Sequence, residues 1–241
     1  MDQTMKPNIL GVIPVRGGSK SVPRKNLAPL NGKPMMYFTI QAAQDSNWMS
    51  HFVVSSEDEE IIRMARDLGA PAPFVRPAEL ATDDAPSLPV VQHAVRFMES
   101  SLGIVFDYVV LLQATSPLRN GSDIDAALEK LISTGADSVI SVVRVAHHHP
   151  ARMRFIKDDL LVELPMGEAK EMQRRQDLPP VYIRNGAIFA ARREVVMDQN
   201  SMLGRLSRPY VMPESRSANV DTKFDFLVVE VMMQHPEKVE D

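Results

Sequence analysis

The sequence contains no cysteine. That absence excludes disulfides, thiolate metal sites and a cysteine nucleophile, and it fits a reducing compartment. No apolar run approaches the length of a membrane span, and the opening residues MDQTMKPN hold no long apolar segment of the kind a secretory leader needs. The expectation is a cytoplasmic protein without a membrane partner. Nor does one sign of charge dominate. Lys and Arg number 27 against 31 Asp and Glu, for a net charge of −4, so no whole-protein attraction to a nucleic-acid polymer is implied. Internal repeats and low-complexity segments are also missing.

What is present is ordinary globular material. The 241 residues are 44% hydrophobic and 24% charged, which suits one α/β domain with a sizeable core, 1–241. Nearly continuous apolar runs mark strands at Ile9–Val15, Phe52–Ser55, Tyr108–Leu112, Ser138–Val143 and Ala187–Ala190. Between them, Ile61, Met64, Ala65 and Leu68 repeat at helical spacing, as do Val90, Val91, Ala94, Val95 and Met98, and Ile124, Ala127, Leu128, Leu131 and Ile132. Ser56 with Glu59 reads as a capping box for the first of these helices, and Pro34 as a helix start. Toward the C-terminus Thr222 reads as a cap, with Phe224, Leu227, Val228 and Val231 on one helical face and Pro236 beyond. Apolar strands alternating with amphipathic helices predict a mainly parallel sheet covered on both faces.

The stretch IPVRGGSKSVPRKN, Ile13–Asn26, follows the first strand. Adjacent glycines, Gly17 and Gly18, let a backbone approach a ligand closely, and exposed N–H groups in such a turn form an anion-binding concavity. Arg16, Lys20, Arg24 and Lys25 add the charge a polyphosphate needs. A solvated basic loop is the plainer reading. Its position at the end of a strand favours a ligand site, since open α/β sheets bind at the carboxyl ends of their strands. A Walker P-loop is disfavoured, because Ser19 separates Gly18 from Lys20.

Val145 to Pro180 breaks the alternation. It carries His147-His148-His149-Pro150, a hairpin-like Met153–Leu164 and a polar run Glu168–Asp177. A structureless loop of that length is unusual in a compact domain, so residues 145–180 read as an arm that packs on a second subunit. Neighbouring histidines on a strand alternate faces, so loop or interface histidines are favoured over a metal site.

Six stretches then combine in order: the Ile13–Asn26 loop, VVSSEDEEI at Val53–Ile61, RPAELATDDAPS at Arg76–Ser87, LLQATSPLR at Leu111–Arg119, RRQDLPPVYIRNGAIF at Arg174–Phe189 and NVDTKFDF at Asn219–Phe226. Together they resemble the acylneuraminate cytidylyltransferases, the family of CMP-sialic acid synthetases, from Ile9 to about Gln234. The resemblance implies a three-layer α/β/α nucleotidyltransferase fold, Rossmann-like, with a protruding dimerisation arm and a homodimer or tetramer. It implies a Mg²⁺-dependent reaction of CTP with a nine-carbon (or eight-carbon) 2-keto sugar acid. The anomeric hydroxyl attacks the α-phosphate and pyrophosphate leaves.

By the same resemblance, Arg16 and Lys25 hold the phosphates and offset charge developing on the leaving group, while Ser19 and Asn26 hydrogen-bond phosphate or ribose beside Gly17, Gly18 and Lys20. Arg76 reads the base, its other reading being a salt bridge with Glu79. Ser87 lies near the base or caps the Val90–Met98 helix. Gln113, Arg175, Arg184 and Asn185 contact the sugar acid, and Asp221 with Asn219 takes the metal. Three positions depart from the family pattern. Ala114 stands where a proline is usual, and Ile183 where sialic-acid members often carry arginine, with Arg184 one place later. Asn219 stands where Asp is common, so only Asp221 keeps its carboxylate. Alternatives are the same fold using GTP or activating KDO, and a non-catalytic nucleotide-binding module, which the Asn219 departure would fit.

Overall fold

The computed structural model describes residues 6–19, 21–145, 148–165 and 174–239. In chain order the strands and helices are β1 (Ile9–Pro14), β2 (Pro29–Leu30), β3 (Lys33–Pro34), α1 (Met35–Asp45), β4 (His51–Ser55), α2 (Glu59–Asp67), α3 (Ser87–Leu102), β5 (Tyr108–Leu111) and α4 (Gly121–Thr134). They continue with β6 (Ser138–Arg144), β7 (Arg154–Lys157), β8 (Leu160–Glu163), β9 (Tyr182–Arg192), α5 (Arg193–Met197), β10 (Ser207–Val211) and α6 (Lys223–Gln234).

The central sheet runs β10-β6-β9-β5-β1-β4. β1 is parallel to β4 and β5, and β10 to β6, while β9 lies antiparallel between β5 and β6. β1 shows why such strands are apolar throughout. Its alternate side chains face opposite ways. Ile9 and Ile13 pack with α1, α2 and α4 through Ile40, Ile61 and Leu128; Leu10 and Val12 pack with α3 through Val91 and Val95. Each fully buried side chain of this size stabilises by about 1.5–3 kcal/mol. The result is three layers, with helices on both faces of a mostly parallel sheet. From β1 the chain moves to β4 on one side and later to β5 on the other. This reversal opens a crevice at the carboxyl ends of β1 and β5.

Several local expectations change. Ser56 is not the cap of α2. Asp58 is, accepting the N–H groups of Glu60 and Ile61, while Ser56 Oγ accepts from the Asp58 N–H. Ser87 does not cap α3 either; it is the first residue of that helix, after Pro86. Thr222 does cap α6, in a reciprocal capping box with Asp225. The Phe224, Leu227, Val228 and Val231 stripe is on the outside of α6 and exposed. The inward side is Phe226, Val229 and Met233, which close a small core with Leu30, Met35 and Val220.

In the Val145–Pro180 stretch, the predicted hairpin is a two-stranded β7–β8 ribbon separate from the main sheet. Asp158 and Asp159 turn it with positive φ, the geometry of a tight hairpin. His147 lies outside the described residues. His149 is buried and bonds through Nε2 to the Pro179 carbonyl at 2.9 Å, pinning the two roots of the arm. Among the described residues no group of three or more His, Asp or Glu is arranged to hold a metal, and no helix is long and apolar enough to cross a membrane.

Candidate active site

The crevice between β1 and β5 is an open cavity of ≈ 810 Å³. Its first wall is the glycine loop. Gly18 and Ser19 line it, and Gly18 has nothing within 4 Å of the space a side chain would fill. Gly17 does not line it, which corrects the expectation for that residue. Its N–H donates to Glu57 Oε1 at 2.8 Å, and a Cβ there would run into the Asp58 carboxylate. Glycine is needed at 17 because the acidic turn before α2 approaches so closely. Arg24 also turns from the crevice, pairing with Asp58 and Glu60. That pairing is the largest cause holding the Asp58 carboxyl below its ordinary pKa, against desolvation. Lys20 lies outside the described residues.

Arg16 reaches across the mouth to Asp83, at 2.6 Å, and to the Thr82 carbonyl. Asn26 Nδ2 donates to the Arg16 carbonyl at 3.1 Å and so ties the ends of the loop together. Lys25 is buried. Its Nζ donates to the Val220 carbonyl at 2.8 Å and stands 3.2 Å from Asp221 Oδ1. The Val220 N–H in turn donates to Thr115 O at 2.7 Å. The segment Asn219–Asp221 is thereby held between the glycine loop and the turn after β5. Asn219 Nδ2 donates to Asp221 Oδ2 at 2.6 Å, and Asn219 Oδ1 accepts from Ser116 Oγ at 3.4 Å.

The lining continues with Arg76, the loop through Thr82–Ala85, and Ser87 with Val90 of α3. Arg76 pairs with Glu57, not with Glu79. Its side chain is only 3% exposed, and its Nε has no hydrogen-bond partner. A buried, unsatisfied guanidinium N–H on a ligand-sized cavity is where an acceptor from a ligand would be welcome.

The floor is Gln113, Ala114 and Thr115. The turn with Ala114 in place of proline is held by Arg119, which is fully buried. Its Nε donates to Ala187 O, Nη1 to Thr39 Oγ1, and Nη2 to the Gln113 carbonyl. Burial pulls the Arg119 pKa down to about 9 against the field of Asp123. Gly186, with φ of 75°, backs onto Gln113, so that a Cβ there would stand 2.6 Å from Gln113 Oε1.

Ten of the expected site residues therefore converge on one crevice: Arg16, Gly18, Ser19, Lys25, Asn26, Arg76, Ser87, Gln113, Asn219 and Asp221. Two sugar-side expectations do not. Asn185 is buried inside the β6–β9 irregularity, where its Oδ1 accepts from Ser141 Oγ and its Nδ2 donates to Ser217 Oγ, so it holds the strand and not a ligand. Arg184 is exposed beside Val142 of β6, away from the crevice lining, as is Ile183. Arg175 opens a 3-10 turn, Arg175–Asp177, and its side chain lies outside the described residues. Glu57, Asp83 and Arg119, which touch Arg16, Arg76 or Gln113, do not stand out in the sequence. Each sits inside a quoted motif, but an acid in SEDEE reads as helix-cap material and a lone arginine after SPL reads as surface.

The profile of the family described as "Cytidylyltransferase" matches residues 10–204. Relatives include the pseudaminic acid cytidylyltransferase of Campylobacter jejuni, 32% identical over 223 residues, spanning 92% of this chain and 95% of that protein. The CMP-N,N'-diacetyllegionaminic acid synthase of Legionella pneumophila is 33% identical over 228 residues, 94% of this chain and 96% of that one. The N-acylneuraminate cytidylyltransferase of Streptococcus agalactiae is 35% identical over 227 residues, 93% of this chain but 52% of that longer protein. Among solved structures, a CMP:2-keto-3-deoxy-manno-octonic acid synthetase complexed with CTP has the same fold, with a TM-score of 0.72 at 16% identity, covering 95% of this chain and 99% of that one.

Proposed function

The chain belongs to the cytidylyltransferase family, and from that premise we propose that it transfers the cytidylyl group of CTP to the anomeric hydroxyl of a nonulosonic, sialic-type 2-keto sugar acid, releasing pyrophosphate. The observation that carries this reading is the meeting of the basic loop and the late acid: Lys25 Nζ lies 3.2 Å from Asp221 Oδ1 on one wall of the crevice. Full-length relatives that act on pseudaminic and legionaminic acids support the substrate class, and their near-equal identities leave the individual acid to experiment.

The proposed roles use the crevice lining. Lys25 and Arg16 bring positive charge to the triphosphate, with Gly18 and Ser19 offering the loop backbone beside it. Asn26 keeps the loop closed, Arg76 and Ser87 face the base, and Gln113 orients the acid at the end of β5. Such a displacement depends on positioning and on stabilising charge, not on a covalent intermediate. The donor set fits magnesium as a one-carboxylate site. Asp221 presents an exposed carboxylate to the crevice, and Mg²⁺ is commonly bound by one or two carboxylates plus substrate phosphates. A magnesium ion held there would offset phosphate charge. Asn219, as found, gives its N–H to Asp221; ligation through its carbonyl oxygen would require a change of partner.

A homodimer built through the arm belongs to the same reading. The ribbon leaves Ile156 79% and Leu161 76% exposed, and a lone two-stranded hairpin is marginal in water. The test of the activity is pyrophosphate release with CTP across pseudaminate, legionaminate, N-acetylneuraminate and KDO, with GTP as the nucleotide control. Release with CTP and one of the nine-carbon acids is expected. No release with any acid at millimolar substrate would overturn the proposal.

A further inference from the structure

Glu57 stands outside the crevice lining, in the turn between β4 and α2, yet it touches both the glycine loop and a lining side chain. Its Oε1 accepts the Gly17 N–H at 2.8 Å, next to the phosphate-facing Gly18. Its Oε2 accepts from Nη2 of Arg76, which lines the crevice. Arg76 is almost wholly buried, and the same Nη2 reaches the Val15 carbonyl at 3.2 Å. The Glu57 carboxylate offsets part of the desolvation of so deeply buried a guanidinium.

We propose that Glu57 is a positioning residue for the nucleotide: a single carboxylate ties the crevice-lining Arg76 to the Gly17 backbone, and so fixes that guanidinium relative to the glycine loop. The inference rests on the crevice being the CTP site. Both oxygens of Glu57 act as acceptors, each toward a different donor. A carboxylate, with two acceptor oxygens, suits this pair of donors. A glutamine of the same shape offers one acceptor and one donor, so it must face an N–H with an N–H. An aspartate keeps the charge but is one methylene too short to hold both donors where they stand. Because Glu57 makes no contact with the sugar side of the crevice, its removal should weaken the nucleotide alone.

The experiment is calorimetric titration of CTP into the full-length wild type, Glu57→Gln, Arg76→Met and the double variant, with the KM for each substrate measured by pyrophosphate release. Loss of a charge-assisted hydrogen bond at a buried site predicts that Glu57→Gln weakens CTP binding about 10- to 100-fold. The KM of the sugar acid should stay within about twofold, and the double variant should bind no worse than Arg76→Met, because the two residues act as one unit. Should Glu57→Gln fail to fold, Glu57→Asp carries the same test, with a smaller loss confined to CTP. CTP binding unchanged in the folded variant, equal losses for both substrates, or losses that multiply in the double variant would each overturn the proposal. Failure of the wild type to bind CTP would instead overturn the cytidylyl reading itself.

Discussion

Lys25 and Asp221, 196 residues apart in the chain, meet with Nζ 3.2 Å from Oδ1. The contact is imposed by the packing beside it. Val220 is buried against Leu30, Met35 and Val229, and its carbonyl takes the Lys25 ammonium, which leaves Asp221 at the edge of the crevice. Lys25→Met and Asp221→Asn should each lower kcat by about 10²- to 10³-fold, the loss typical of one preorganised electrostatic group at a reacting centre. Since the two side chains touch, the double variant should lose less than the product of the single losses. Steady-state pyrophosphate release decides it. Charge reversal at Arg16 and Lys25 that left turnover untouched would remove the basis of the proposed function.

Asn219 bonds through its amide to the Asp221 carboxylate at 2.6 Å. Asn219→Asp would put two carboxylates on the same edge of the segment, and oxygen sites bind divalent cations more tightly as ligand charge rises. The Mg²⁺ concentration for half-maximal pyrophosphate release should fall, by about tenfold for a gain of about 1.4 kcal/mol. An unchanged requirement would show that residue 219 does not serve the metal.

Asp58 joins the glycine loop to α2, capping the helix while pairing with Arg24. Its carboxyl lies below the ordinary Asp value, with the Arg24 hydrogen bond as the leading cause. A depressed carboxyl contributes its stability above the unfolded-state pKa and loses it as pH falls through the lower folded value. Asp58→Asn keeps the cap and removes the charge. Arg24 is partly exposed, so solvent screening limits the expected loss near neutral pH to about 0.5–1 kcal/mol. The gap between wild type and variant should close as pH drops below about 4. Urea unfolding from pH 7 down to 3 checks this, and a gap that widened in acid would contradict it.

The ribbon is proposed to be covered by a second copy of the chain. Ile156→Glu combined with Leu161→Glu should convert a dimer to a monomer by sedimentation velocity at micromolar protein, while CTP binding at the β1–β5 crevice persists. A wild type that sediments as a monomer at that concentration would remove the arm from the account.

How much of this could be read in advance depended on burial and on through-space partners. β1, β4, β5 and β6 announced themselves because burial made their runs apolar. β10 did not: Ser207–Val211 is an edge strand, mostly exposed and interrupted by Pro209, and lacks an apolar run. The start of β9, Tyr182–Arg184, is exposed and gives no strand signal for the same reason. On α6 both faces carry apolar residues, so periodicity could not tell the outward Phe224 stripe from the inward Phe226–Val229–Met233 side. Arg16, Lys25 and Asp221 were legible as charged residues in ordered motifs. Gly17 and Asn185 read as ligand contacts in the sequence because their partners, Glu57 and Ser141, are distant in sequence and carry no local signal.

Gly186 links that lesson to the sugar side of the crevice. Its φ of 75° lies in the left-handed region, which costs a residue with a Cβ roughly 1–2 kcal/mol. In a chain of this size that strain lowers Tm by about 2–8 °C, taking 2–4 °C per kcal/mol. The added methyl would also stand 2.6 Å from Gln113 Oε1 and 3.3 Å from Ser116 Oγ. The Gln113 amide is the movable partner, since Arg119 holds its backbone carbonyl in place. Gly186→Ala should therefore swing the Gln113 side chain off its position on the crevice floor while leaving Lys25, Arg76 and the glycine loop alone. The expected signature is a KM for the sugar acid raised about tenfold, the worth of one hydrogen bond, with the KM for CTP within twofold. Equal increases for both substrates would mean that the strain spreads through the crevice, and an unchanged acid KM would mean that Gln113 does not contact the acid.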